Sequence, residues 1–288
     1  MNKIFAGMFL CWLLSSFVLQ VTDDKKFYNI GVKNIKESQY AEAIANFTQA
    51  ISLNPRFADA YLQRAKAKLM LGEQMGYFVK DLYNDLIRAK ELGSKEAWQL
   101  LYDHYHAECS TPEDGQLNPK ETFCLDYRDT KLTKLPNNTA QMTNLLALHL
   151  SDNQLGSLPE LPVTKHLLVL DLDNNLIRKL PANLHLCTSL VELNISTNNI
   201  SLLPNEIGNL ANLKNFYLRN NKLNQLPASF TKLTDLEVLD ISLNNFTAIP
   251  KVLFQLKNLK ALYLSGNNLA EKDVNDLKHA LPSTVIYY

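Results

Sequence analysis

From residue 122 onward the apolar residues recur in one order, Leu-x-x-Leu-x-Leu-x-x-Asn-x-Leu-x-x-Leu-Pro. Leu190, Leu193, Ile195, Asn198 and Ile200 fill one copy, and Leu259, Leu262, Leu264, Asn267 and Leu269 fill another. The alternation Leu-x-Leu has the period of a strand, so the leucines turn inward and the residues between them turn outward. The polar position that follows is held by Thr130, Asn153, Asn175, Asn198, Asn221, Asn244 and Asn267, at spacings of 23, 22, 23, 23, 23 and 23. One register kept over seven copies predicts a stack of about seven coils.

Where each strand ends, the chain turns and leaves buried backbone groups that need partners. An asparagine amide offers an acceptor and two donors. Asn153, Asn175, Asn198, Asn221, Asn244 and Asn267 are therefore expected to form an internal ladder, each bonding the backbone of its own coil and of its neighbour. Pro136, Pro159, Pro181, Pro204, Pro227 and Pro250 open the return path. Its apolar residues, as in Ile207, Leu210 and Leu213, recur every third position and suit a 3₁₀ or extended course. The ends depart from the template, as solenoid ends do. Thr130 replaces asparagine where no coil precedes, residues 271–282 have the spacing of an amphipathic helix, and residues 284–288 suit an edge strand.

Upstream the period changes from two to that of a helix. Phe27, Ile30 and Gly31 precede a break at Glu37-Ser38-Gln39; Tyr40, Ala43, Ile44, Phe47, Ala50 and Ile51 follow, and Asn54-Pro55 closes the unit. Small residues at Gly31 and Ala43 let two helix backbones approach. A second copy begins at Ala58, with Ala65 in the glycine position and about five extra residues around Gly72–Gly76. A third helix opens near Trp98 and has no partner after it.

The 34-residue helical unit resembles the tetratricopeptide family, and the second half resembles the 23-residue class of leucine-rich repeats. The resemblance implies repeat solenoids: an α-helical tetratricopeptide-like stack followed by an α/β leucine-rich-repeat horseshoe. The expected layout is residues 1–22 as a signal or anchor, 23–108 as helical repeats, 109–121 as a linker and 122–288 as the leucine-rich region with its cap. It also implies an interaction scaffold for a protein or peptide, because solenoids present extended concave surfaces.

Composition narrows the chemistry. Lys and Arg together number 29, as do Asp and Glu, so no basic face for nucleic acid is forced on the chain. Only nine glycines are present, against a glycine-rich phosphate cradle. Residues 121–288 hold 39 Leu and 23 Asn, whereas residues 26–120 hold 10 Leu. The two halves therefore pack by different rules. Lys3 followed by an apolar run from Ile4 to Leu19 has the layout of an export segment, either cleaved or retained as an anchor. The chain is thus expected outside the cytoplasm, touching membrane only through that segment if it is uncleaved.

The outward strand positions supply the binding candidates. Between the paired inward residues lie Asp126, His149, Asp171, Asn194, Tyr217, Asp240 and Tyr263, and two residues on lie Arg128, Ser151, Asp173, Ser196, Arg219, Ser242 and Ser265. Tyr217, Arg219, Asp240 and Tyr263 are expected at the centre of a partner surface, with Asp171 and His149 beside them, since tyrosine and arginine dominate binding hot spots. Tyr28 and Asn29 are expected to line a helical groove. No catalytic, cofactor or metal residue is assigned: the chain has no His-Glu-x-x-His or Gly-x-Ser-x-Gly motif, and His104 and His106 fall on different faces of a helix. The readings left open are an anchored recognition receptor and an enzyme of unrecognised type. Cys109 and Cys124 bracket the linker, where a disulfide would brace the junction in an oxidising compartment; Cys187 falls at an inward position on the return path.

Overall fold

In the computed structural model, which describes residues 22–76, 81–104, 109–111, 117–158 and 164–288, the helical spacing closes into α1 (Asp23–Lys36), α2 (Tyr40–Leu53), α3 (Ala58–Met75), α4 (Leu82–Glu91) and α5 (Lys95–His104). The apolar run from Ile4 to Leu19, expected to act as an export segment, lies outside the described residues. Among those described, no helix is long and apolar enough to cross a membrane. The chain divides into two compact units, one running to Leu101 and the other starting at Tyr102.

In the first unit each of the first three helices packs on the next. The α1–α2 crossing depends on Gly31, because a Cβ there would stand 2.7 Å from the Phe47 ring. Ala43, Phe47 and Ala67 form a fully buried cluster beside it. The extra residues of the second repeat are taken up as an added helical turn, giving α3 18 residues where α1 and α2 have 14 each. Asp85 of α4 is buried at 3% exposure and is held by two cations of α3: the Arg64 Nε at 2.9 Å and the Lys68 Nζ at 2.9 Å. A buried carboxylate is tolerated there because donors from both cations meet it.

The second unit is an eight-stranded parallel sheet in strict sequence order: β1 (Cys124–Asp126), β2 (Ala147–His149), β3 (Val169–Asp171), β4 (Glu192–Asn194), β5 (Asn215–Tyr217), β6 (Val238–Asp240), β7 (Ala261–Tyr263) and β8 (Val285–Tyr287). Its register places Leu125, Leu148, Leu170, Leu193, Phe216, Leu239 and Leu262 in one buried column. Short 3₁₀ turns such as Asn205–Asn209 and Ala228–Lys232 carry the return path. Cys187 is buried there, and burial pushes its thiol up to about 11. The far end closes with α6 (Glu271–Ala280), whose Val274 and Leu277 are buried, and with β8.

Each ladder asparagine bonds the backbone of its own coil and of the coil before it. Asn198 Oδ1 accepts the Ile177 N–H at 2.9 Å, and its Nδ2 donates to the Leu172 carbonyl one coil back and to the Ile195 and Ser196 carbonyls of its own coil. The pattern repeats at Asn153, Asn175, Asn221, Asn244 and Asn267, for instance from Asn244 to Leu223, Leu218 and Ile241. Thr130, in the first coil, donates to its own Tyr127 carbonyl instead. The residue before each ladder position adopts positive φ: Asp129, Asp152, Asn174, Thr197, Asn220, Leu243 and Gly266. That requirement is invisible in the leucine template, and only Asp, Asn and Gly among these residues suit it.

Ser110 pairs with the outer edge of β1, donating its N–H to the Cys124 carbonyl at 3.0 Å and accepting the Asp126 N–H at 2.9 Å. The Cys109–Cys124 disulfide fastens this bridge, with the two Cα atoms 4.4 Å apart.

Candidate functional site

Strand register decides which side chains share the outward face. The third residues of successive strands stand in one row: Asp126, His149, Asp171, Asn194, Tyr217, Asp240, Tyr263 and Tyr287. The first residues form a parallel row of Cys124, Ala147, Val169, Glu192, Asn215, Val238, Ala261 and Val285. Neighbours within a row lie about 4.8 Å apart, the strand spacing.

The face has two characters. Cys124, Ala147 and Val169 are buried, as are Phe123, Leu146, Leu168 and Val191, which immediately precede the first four strands. The matching positions before β5, β6 and β7 are Lys214, Glu237 and Lys260. Glu192, Asn194, Tyr217, Asp240 and Tyr263 remain partly accessible. In the row of first strand residues the accessible part thus begins at Glu192.

Tyr217, Asp240 and Tyr263 are consecutive across β5, β6 and β7. Arg219 joins them through a relay, in which its Nη1 donates to the Ser242 hydroxyl at 3.0 Å and that hydroxyl donates to Asp240 at 2.6 Å. Tyr263 stacks on Tyr287 with ring centres 4.5 Å apart, an arrangement that adds attraction beyond area burial. The predicted cluster is therefore one continuous surface extended by a strand. Tyr287 was legible as an edge-strand residue, but only the register shows that it continues the tyrosine row. Glu192 was missed because the row of first strand residues was not read, although strand alternation turns that row outward as well.

The acidic residues of the face differ in what holds them. Arg128 bonds both carboxylate oxygens of Asp126, its Nε at 2.9 and 3.1 Å, and keeps that carboxyl below its ordinary range. Lys260 pairs with Glu237 at 2.6 Å. Burial instead pushes Asp171 and Glu192 upward, and the Asp171 charge raises Glu192 further. Among the described residues no ion pair engages Asp171, Glu192 or Asp240. Asp171 accepts the Asp173 N–H at 3.2 Å, and Glu192 accepts from Asn215 Nδ2 at 3.3 Å. Burial also raises the Tyr217 phenol.

His149 lies between Asp126 and Asp171 in the row. A ring nitrogen of it and the two disulfide sulfurs lie within 4.8 Å of one another. The sulfurs are bonded to each other and offer no thiolate, the form in which cysteine binds a metal. In the helical unit Asn29 is exposed. Tyr28 corrects the groove expectation in part, because its ring packs against Phe57 at 4.9 Å and Phe47 at 5.7 Å between centres. Its early position in the helix pattern did not separate a ring closing the hairpin from one facing a groove.

Residues 153–280 match a family model described as a leucine-rich repeat region, and residues 35–72 match one described as a TPR repeat. Among solved structures, a leucine-rich repeat protein of Leptospira interrogans is 35% identical, with 60% of this chain and 42% of that chain covered at a TM-score of 0.50. The chain thus spans less than half the length of that relative. The leucine-rich repeat ectodomain of a plant membrane receptor kinase from Arabidopsis thaliana is 27% identical, covering 58% of this chain and 24% of that one at a TM-score of 0.43. An internalin of Listeria monocytogenes is 19% identical, covering 58% and 54% at a TM-score of 0.46. No curated protein matches the chain.

Proposed function

We propose that this chain, which joins tetratricopeptide-like helical repeats to a leucine-rich repeat region, is an exported, non-enzymatic scaffold that binds a protein or peptide on its outward strand face. The observation that carries the reading is the row Tyr217, Asp240, Tyr263, Tyr287. It places three tyrosines and a carboxylate side by side on a rigid sheet, with Arg219 linked to it through Ser242. Such anchors bring large contact area at small ordering cost.

The leptospiral relative supports the repeat architecture, and an interaction role is what solenoid faces ordinarily serve. Export is supported by the apolar segment from Ile4 to Leu19 and by the Cys109–Cys124 disulfide, a bond that persists in oxidising compartments. Cell fractionation with N-terminal sequencing of the mature chain tests export and separates a released scaffold from an anchored one. For the binding face, capture of a crosslinked partner from the native host is expected to fall at least about tenfold in the Tyr217→Ala/Tyr263→Ala variant, the scale of hot-spot truncation. Undiminished capture by that variant overturns the reading.

A further inference from the structure

The middle of the outward face combines three observations that an ordinary solvated sheet does not. Asp171 and Glu192, on adjacent strands, are both partly withdrawn from water. Burial raises the Asp171 carboxyl and the neighbouring His149 imidazole lowers it in part, but no lysine or arginine ion pair among the described residues engages either acid. The acids to either side, Asp126 and Glu237, do have cations, Arg128 and Lys260. Tyr217 stands two strands from Asp171 in the same row, with Asn194 between them. Burying a carboxylate without a lysine or arginine counter-charge is costly, and here two like charges share one neighbourhood, with only the His149 imidazole beside Asp171 to offset them. Their desolvation shows in the upward displacement of both carboxyls.

We infer that the outward face takes a basic peptide segment of a partner protein, one of whose lysine or arginine side chains seats over Asn194 between Asp171, Glu192 and the Tyr217 ring. Two strand spacings separate Asp171 from Tyr217, about 10 Å. That span matches a guanidinium or ammonium that meets carboxylate oxygens on one side and a ring face on the other, and the Tyr102 phenol, which interacts with both Glu192 and Tyr217, borders the same place. Asp240, next to Tyr217 in the row, extends the same negative surface toward β7. The inference rests on the proposed binding face and gives its partner a charge.

The test is a selection of random dodecapeptides on the immobilised full chain, run in parallel on Asp171→Asn/Glu192→Gln and on Tyr217→Ala/Tyr263→Ala, with selected peptides measured by fluorescence anisotropy. Both acidic substitutions keep side-chain shape and one acceptor oxygen while removing the charge, and melting curves check that the variant folds. The expected result is enrichment of lysine and arginine, with binding at least about tenfold weaker on the Asp171→Asn/Glu192→Gln variant and falling as salt rises. Selected peptides without basic residues, or retained by that variant, overturn the inference. If such peptides are still lost on Tyr217→Ala/Tyr263→Ala, the binding face stands and only its charge assignment fails. Binding that needs Ca²⁺ and disappears in EDTA assigns the carboxylates to a metal and overturns the peptide inference. Selection of nothing above background counts against both.

Discussion

Asn198 and Ile177 are joined across a coil boundary, the asparagine Oδ1 accepting the Ile177 N–H at 2.9 Å inside the leucine-rich unit. The same amide donates to Leu172 on the preceding coil and to Ile195 on its own. One side chain thereby satisfies backbone groups of two coils where water is excluded. The strand register, and with it the spacing of the outward face, depends on that satisfaction.

Replacing Asn198 with alanine leaves the Ile177 N–H without a partner, while the Leu172 carbonyl keeps its bond from Asn175 Nδ2 at 3.1 Å. An unsatisfied buried group costs roughly 1–3 kcal/mol, so Asn198→Ala is expected to lower unfolding free energy by about 2 kcal/mol. Asn267→Ala, at the less buried end of the ladder, is expected to cost less. Urea unfolding of the two variants checks the order, and equal losses contradict it.

Thr197 has φ of +50°, a conformation that penalises a β-branched residue. Equivalent coils place Asp152, Asn174, Asn220 or Gly266 there. Thr197→Asn is therefore expected to raise stability by about 0.5–1 kcal/mol. A lower urea midpoint would show that the Thr197 side chain contributes more than its backbone strain costs.

Gly31 faces the Phe47 ring at a distance no Cβ can share. Gly31→Val is expected to destabilise the helical unit by about 1–3 kcal/mol through overpacking. Shortening the neighbour should relieve this: Gly31→Ala is expected to cost less in a Phe47→Leu background than alone. Additive losses in that double-mutant cycle would place the strain elsewhere.

Asp171 and Glu192 are raised in the folded chain by burial. A raised carboxyl contributes stability that is fully present below its unfolded pKa and is lost as pH rises through its folded pKa. Once pH exceeds their raised folded values, ionisation of both groups counts against the fold. Asp171→Asn and Glu192→Gln are expected to raise the melting temperature at pH 7, with the gain shrinking as pH falls toward the ordinary carboxyl values of 3.8 and 4.5. Asp126, held down by Arg128, acts oppositely: its contribution is present above 3.8 and is lost as pH falls through its depressed pKa. Lower melting of the neutral variants at pH 7 would mean that the folded chain already satisfies these charges.

The solenoid was legible because its information is local and repeated. Leu193, Ile195 and Asn198 occupy fixed offsets that recur coil after coil, so period and polarity alone give strand, turn and ladder. Gly31 and Ala43 marked the helix crossing for a similar reason, since only small residues permit close backbones. The face was legible only in part. Tyr217, Asp240 and Tyr263 followed from alternation, whereas Tyr287 enters the row through a parallel pairing 24 residues away that is set by the cap. The burial of Leu146, Leu168 and Val191 could not be read from the coil template, which leaves those positions open. The left-handed turn before each asparagine was hidden because Thr197 and Leu243 occupy it against their preference.

The most direct test places a photocrosslinking amino acid, one at a time, at Tyr217, Tyr263 and the exposed residue Lys179, which lies past the strand and just ahead of the return path, in the full chain in its native host. Adducts with a protein partner from positions 217 and 263, and none from 179, are the predicted result. Adducts from 179 alone, or equally from all three positions, would contradict a binding site on the outward strand face.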